Sequence, residues 1–425
     1  MIVSVFLGSL LGAMALGMPI AFALLVSGLC LMFTVGMFDS QIMAQNLING
    51  ADSFPLLAIP FFILAGELMN AGGISKRIID FATALVGHIK GGLGYVAIIG
   101  ALVFAGLSGS AVADTAALGA ILIPMMVSAG YDKNRSAGLI AAGGIIAPII
   151  PPSIPMIIFG VTSGVSITKL FMAGIVPGFM LAVGLTIAWY LVVRKSNFKV
   201  FPKKSGKEIA AATVNALWAL VLPAIIIGGL KFGIFTPTEA GVVAAFYALF
   251  VGLVVYRELK LKDLFHVLVS SGKMTSVVMF LAAAAMVSSW LITVANIPGE
   301  LTAMLGPLME NKLLLLMAIN LVVFLVGTAM DLTPTVLILT PVLMPIVTAA
   351  GIDLVYFGLL FILNNCIGLL TPPVGTVLNV AAGVGKISME DIIKGVWPFL
   401  LVHIIILLLL TLFPQLVMVP LGWFT

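Results

Sequence analysis

Residues 148–153 read Pro148-Ile149-Ile150-Pro151-Pro152-Ser153, and paired prolines return 221 positions later in Leu370-Thr371-Pro372-Pro373-Val374-Gly375-Thr376, each time inside an apolar run. A Pro–Pro step removes two amide donors and bars the preceding residue from helical geometry, so a helix that reaches it must stop. The carbonyls just upstream then lose their partners. Each run therefore predicts a helix that breaks midway and resumes.

The same offset extends well beyond the prolines. Residues 106–178 moved forward by 221 lie on 327–399 without a gap. Gly106 meets Gly327, Leu122 and Pro124 meet Leu343 and Pro345, and Ala129-Gly130 with Asp132 meets Ala350-Gly351 with Asp353. Gly164, Gly174 and Pro177 meet Gly385, Gly395 and Pro398. Coincidence at Gly, Pro and Asp matters because these residues set backbone geometry, and a shared taste for Leu or Val would not place them.

The surrounding sequence defines the solvent. Of 425 residues 62% are apolar and 8% charged, against about 25% charged in soluble domains. Lipid must cover the outside. The net charge of +4 lies in loops and gives no case for nucleic acid. Cys30 and Cys366 both sit in apolar runs and read as small core residues. No Lys or Arg precedes Lys76, so the first apolar segment reads as a retained span and not a cleaved signal peptide.

Ten full spans are expected, at about 2–17, 19–36, 54–72, 136–159, 170–193, 213–231, 237–256, 274–293, 355–378 and 396–418, each able to cross a hydrocarbon core of ~30 Å, the first only just. Two further stretches, 91–129 and 312–349, are interrupted by Ser108-Gly109-Ser110 with Asp114 and by Thr328 to Pro334 with Asp331. Each is either two spans or one re-entrant hairpin. The interrupted middles favour hairpins, since open backbone must face protein or water.

The loop from Arg194 to Glu208 carries Arg194, Lys195, Lys199, Lys203, Lys204 and Lys207, which places it in the cytoplasm. Traced outward, both chain ends fall on the periplasmic side. The first repeat then enters from the cytoplasm and the second from the periplasm. The fold expected is an all-α polytopic membrane protein with an inverted-topology repeat, two re-entrant hairpins and two discontinuous helices. Its parts are a first repeat over 1–193, a basic cytoplasmic linker over 194–212 and a second repeat over 213–425.

Unpaired carbonyls and hydroxyls suit a desolvated Na⁺, and the N-terminal ends of the resumed half-helices suit an anion. One Na⁺ site is expected in each half, between hairpin tip and helix break. The first comprises Ser108, Gly109, Ser110, Pro148, Ile149 and Pro151; the second comprises Gly327, Thr328, Met330, Leu370 and Thr371. Substrate is expected between the halves, near Ser110, Asp114, Ser153, Asp331, Thr333 and Thr376. Asp114 and Asp331 are ionisable groups at membrane depth, where function is the default reading, although either can also cap a half-helix. Glu67 and Glu239 read equally as caps or as functional groups. All four arginines, Arg77, Arg135, Arg194 and Arg257, fall in or beside cytoplasmic loops, so an anionic substrate must be held by hydroxyls, amides and helix ends.

The strings Gly17-Met18-Pro19-Ile20-Ala21-Phe22, Asp52-Ser53-Phe54-Pro55-Leu56-Leu57-Ala58-Ile59-Pro60-Phe61-Phe62, Gly109-Ser110-Ala111-Val112-Ala113-Asp114, Pro151-Pro152-Ser153-Ile154-Pro155-Met156 and Thr236-Pro237-Thr238-Glu239-Ala240 resemble those of the large membrane subunit of tripartite ATP-independent periplasmic (TRAP) transporters. The resemblance runs over essentially the whole chain. It implies an elevator-type transporter in the bacterial inner membrane, with Na⁺-coupled import of a small carboxylate of the C4-dicarboxylate or sialic acid class. Overall likeness leans toward sialic acid. It also implies two partners: a small four-helix membrane subunit and a soluble periplasmic substrate-binding protein.

Two other classes compete. Gly106-Leu107-Ser108-Gly109 matches the Gly-x-Ser-Gly pattern of intramembrane serine proteases, with His403 as a base. The repeat, however, puts Ala329 opposite Ser108, and a protease has no use for two inverted hairpins. A channel is the other rival, and closed hairpins favour alternating access over an open pore.

Overall fold

The computed structural model describes residues 2–195, 198, 200–304 and 306–424. Lys199 of the basic loop and both terminal residues lie outside these. The chain opens with α1 (Ile2–Ala15), α2 (Ile20–Val35), α3 (Ser40–Ala51) and α4 (Ala58–Ala71), the last entered through a 3-10 turn at Phe54–Leu57. Then come α5 (Ile74–Val86), α6 (Gly92–Ser108), α7 (Ala111–Ser128), α8 (Lys133–Gly144), α9 (Ile154–Ser163) and α10 (Ile167–Val193). After the linker follow α11 (Gly206–Lys231), α12 (Pro237–Phe250), α13 (Leu261–Val294), α14 (Ile297–Met304) and α15 (Gly306–Met309). The chain ends with α16 (Lys312–Ala329), α17 (Leu332–Ala349), α18 (Leu354–Gly368), α19 (Thr376–Gly385), α20 (Met389–Leu412) and α21 (Gln415–Phe424).

Local chemistry sets these boundaries. Asp132 accepts from the Arg135 amide at 2.7 Å to start α8, and Asp353 accepts from Val355 and Tyr356 at 2.9 Å to start α18. Such caps contribute about 1 kcal/mol each. Gly130 and Gly351, two residues earlier, turn the chain with φ of +90° and +61°. The matched Gly-x-Asp of the two repeats is thus a turn followed by a cap. Thr236 and Glu239 form a capping box on α12, which gives Glu239 a structural role.

Both proline-paired spans are broken. The first is α8, an irregular stretch over 145–153, and α9; the second is α18, a stretch over 369–375, and α19. The other expected spans correspond to helices, except that 396–418 overruns the end of α20 at Leu412 into α21, and α3, α5, α14 and α15 went unread. Ile74, Ile78, Ile79 and Ala82 form the buried stripe of α5, an amphipathic spacing that was legible.

Among the described residues, nine helical stretches are long and apolar enough to cross a membrane. They include α7, α16 and α17, so length alone does not separate a re-entrant arm from a crossing one. Packing is paired across the repeat. Helix α6 lies on α8 as α16 lies on α18, α7 on α19 as α17 on α9, and α8 on α20 as α18 on α10. Helices α8 and α20 approach backbone to backbone. A Cβ at Gly395 would stand 2.0 Å from the Asn134 carbonyl, and one at Gly138 would stand 2.6 Å from the Gly395 carbonyl carbon. The linker is tied to the first half: Phe198 stacks on Tyr131 at 4.1 Å, and the Phe201 amide donates to the Gly87 carbonyl.

Candidate functional site

At the first tip, α6 ends at Ser108. Gly109 turns the chain with φ +62°, and Ser110 caps α7 by accepting from the Ala113 amide at 3.4 Å. The Ser110 amide donates to the Ser108 hydroxyl at 3.1 Å, and that hydroxyl donates to the Asp114 carboxylate. The second carboxylate oxygen of Asp114 is buried without a partner, as is the Thr115 hydroxyl. Thr115 faces the end of α8, where a Cβ on Gly144 would lie 1.9 Å from its Oγ1.

This tip rests on the first break. A Cβ on Gly109 would stand 2.4 Å from the Pro152 carbonyl oxygen and 3.2 Å from Ser153 Cα. Only glycine fits there. Ser153 caps α9 and donates to the Pro148 carbonyl at 2.6 Å, while the Ile149 carbonyl lies against Gly174 of α10. Of the expected first-site carbonyls, Pro148 is therefore already bonded and Ile149 faces α10. Pro151's lies 3.9 Å from the Cβ position of Gly106, and Pro152's is the one brought to the tip.

The second tip repeats the plan with different residues. Met330 is extended and Asp331 occupies the cap position of α17. Asp331 does not cap; its carboxylate accepts from the Thr376 hydroxyl of α19 at 3.3 Å. The Thr328 carbonyl accepts from the Val374 amide at 3.1 Å, a direct bond between tip and break. Gly327 and Gly368 meet closely, and the Asn365 Oδ1 is 2.7 Å from where a Cβ of Gly327 would be. Asn365 donates to the Leu332 carbonyl at 3.4 Å, leaving Oδ1 buried without a partner. The Thr328 and Thr371 hydroxyls donate to the Leu325 and Ile367 carbonyls of their own helices. Leu370 is buried at the start of this break, after Leu369, and Thr333 is half-buried in the first turn of α17.

Thr115, Asn364 and Asn365 were not read as site residues. The signal was present: Asn364-Asn365 are adjacent amides in an otherwise apolar Phe361–Leu370 run. Asn364 donates to the backbone and side-chain oxygens of Asn320, and Asn320 donates to Thr411 at 3.0 Å, so a polar chain links α16, α18 and α20.

Asp114, Thr115 and Asn365 present buried oxygens without a protein partner, and such oxygens can accept from a water or a proton or ligate a cation. The halves differ in access: residues 145–153 are almost wholly buried, whereas Pro372, Pro373 and Val374 are exposed. The protease alternative needs Ser108 and His403 to meet, and each has another partner. Ser108 engages Asp114, while His403 is bonded to the Ala142 carbonyl.

Apolar helices of spanning length around two tip-on-break pairs define a polytopic membrane protein. Residues 7–416 match the family described as tripartite ATP-independent periplasmic transporter, DctM component. The chain belongs to this family, that of the TRAP transporter large permeases. It is 58% identical over 423 residues to the 2,3-diketo-L-gulonate TRAP transporter large permease of Escherichia coli K12, covering 100% of both chains. Identity is 41% to the sialic acid large permease of Vibrio cholerae, over 95% of each chain. It is 39% to the C4-dicarboxylate large permease of Pseudomonas aeruginosa, over 90% of this chain and 89% of the relative. Among solved structures, the YdaH transporter of Alcanivorax borkumensis aligns with a TM-score of 0.62 over 89% of this chain and 90% of its own, at 12% identity, a likeness of fold.

Proposed function

We propose that this chain is the translocating subunit of a Na⁺-driven importer, operating by an elevator movement with α6–α7 and α16–α17 as re-entrant hairpins. The observation that carries this reading is the doubled tip-on-break arrangement, with Gly109 on Pro152 in one half and Thr328 bonded to Val374 in the other. Each supplies buried oxygens whose missing partner is supplied by a desolvated Na⁺. Na⁺ is cargo of the cycle, bound and released with substrate. The paired packing of the two halves supports an inverted repeat, whose exchange of inward and outward forms delivers alternating access.

The substrate class is a small organic carboxylate. Sequence likeness of 58% to a 2,3-diketo-L-gulonate permease, against 41% to a sialic acid permease, moves the lean from sialic acid to a sugar-derived keto acid. Asp331, Thr333 and Thr376 beside the exposed second break are its proposed contacts, with Ser110, Asp114 and Ser153 closing the site from the first half. A small four-helix membrane subunit and a periplasmic substrate-binding protein complete the system in the bacterial inner membrane.

The test is uptake into liposomes holding the large and small subunits, with the cognate binding protein outside and its captured ligand as substrate. Saturable uptake that stops when the Na⁺ gradient is removed is expected. Unsaturable flux through the reconstituted chain would instead make it a pore.

A further inference from the structure

Helix α8 ends in a way that leaves a carbonyl open. The amide of Ile146, the normal fourth-residue partner of the Ala142 carbonyl, donates to Gly143 instead, and the Ala147 amide donates to Gly144. The last turn has tightened ahead of Pro148, so Ala142 lacks its helical donor. That vacancy is filled from the other half of the molecule. His403, fully buried on α20, places Nε2 at 3.1 Å from the Ala142 oxygen. A carbonyl only accepts, so Nε2 carries the proton and Nδ1 faces the interior without a partner. The bond is the third tie along one parallel seam, after Arg135 Nη1 to the Lys394 and Gly395 carbonyls and the Gly138–Gly395 approach. It lies one turn before the first break. The repeat offers no equivalent, since position 403 matches Ala182 in the first half.

We infer that His403 is a positioning residue that fixes the C-terminal end of α8, and with it the Pro148–Ser153 break, by capping Ala142 across the two halves. The consequence for transport rests on the ion-holding role proposed above for that break. His403 touches neither ion nor substrate; it sets where Gly144 and the break carbonyls stand relative to Thr115 and the hairpin tip.

The variants are His403→Leu, which removes the donor, His403→Asn, whose amide stops short of Ala142, and His403→Gln, whose amide reaches the place of Nε2. Uptake by the full transporter is measured against Na⁺ concentration, normalised to protein in the membrane. Hydrogen–deuterium exchange of amides in 143–150 is followed on the purified chain. Leu and Asn should raise the Na⁺ half-saturation roughly three- to tenfold, the size of one lost hydrogen bond, with Gln within about twofold of the parent. The same two variants should exchange faster over 143–150, again restored by Gln. If Leu fails to fold, Asn carries the comparison. Unchanged curves and exchange in Leu and Asn, or a defect that Gln does not rescue, overturn the inference. A parent whose uptake ignores Na⁺ would refute the ion-coupled reading separately, and exchange alone would then decide the role of His403.

Discussion

Asp114 and Asn365 stand on different elements, one in the first turn of a hairpin arm and the other near the end of a broken helix, yet each buries one side-chain oxygen without a donor. Removing an oxygen from such a cluster takes one ligand from several, so each loss should weaken ion binding by about 1–3 kcal/mol, the scale of an unmade buried polar contact. Asn365→Leu keeps the volume and removes the oxygen. We expect it to raise the Na⁺ requirement at fixed substrate, with partial rescue at saturating Na⁺, because ion and substrate binding are linked. Thr371→Ala and Thr328→Ala should do less, since these hydroxyls already serve their own helices. Initial uptake against Na⁺ concentration orders the three, and equal curves would remove Asn365 from the site. Asp114 was legible as an ionisable group at membrane depth. Asn365 was visible as an amide in an apolar run, but its place at the second tip depends on Gly327 facing it.

The broken helices and the turns that lead into them were the most legible elements, because prolines and a Gly-x-Asp turn-and-cap dictate backbone geometry without help from packing. What the sequence did not reveal is that the first break is closed by neighbours and the second is open. That difference depends on which helices pack over each break, as where Gly174 of α10 covers Ile149. The short connecting helices went unread for a related reason: their polar faces resemble loops when judged between longer apolar runs. Glycines at two turns separate backbone strain from contact. At Gly130, φ is +90° and nothing lies within 4 Å of a Cβ, so Gly130→Ala should cost only the left-handed conformation, about 1–2 kcal/mol. At Gly109 the same conformational cost is joined by a Cβ 2.4 Å from the Pro152 oxygen, which is backbone and cannot rotate away. Gly109→Ala should therefore push the tip off the break, and transport should be lost even where protein still reaches the membrane. Gly130→Ala should lower thermal stability modestly and keep transport. The pair is compared by uptake per folded protein, and equal uptake in the two would show that the tip need not seat.

At the scale of the whole molecule, orientation and assembly are open to direct measurement. In a variant lacking Cys30 and Cys366, a cysteine at Ser205 should resist a membrane-impermeant reagent added outside, and one at Asn311, between α15 and α16, should react. The reverse pattern would invert every element. Assembly is read from surface. Helix α11 leaves Val214, Leu217 and Trp218 exposed, and α13 leaves Leu261, Phe265 and Leu268 exposed at its start. Lipid tails are as apolar as these side chains, so exposure there does not by itself demand a protein. The elevator movement proposed above supplies a reason: if the hairpins and broken helices travel, the remaining helices must hold still against the bilayer. A small subunit packed on them would enlarge that frame, and a periplasmic protein would hand over substrate that free diffusion delivers poorly. We therefore expect that this chain alone, in liposomes with an inward Na⁺ gradient, does not accumulate substrate. Adding the small subunit and the loaded binding protein should restore uptake, and adding either one without the other should not. The measurement is radiolabelled substrate retained over time in the four combinations, at equal amounts of the large subunit. Accumulation by the isolated chain at the rate of the full set would mean that the frame is complete in these 425 residues and the tripartite reading is wrong.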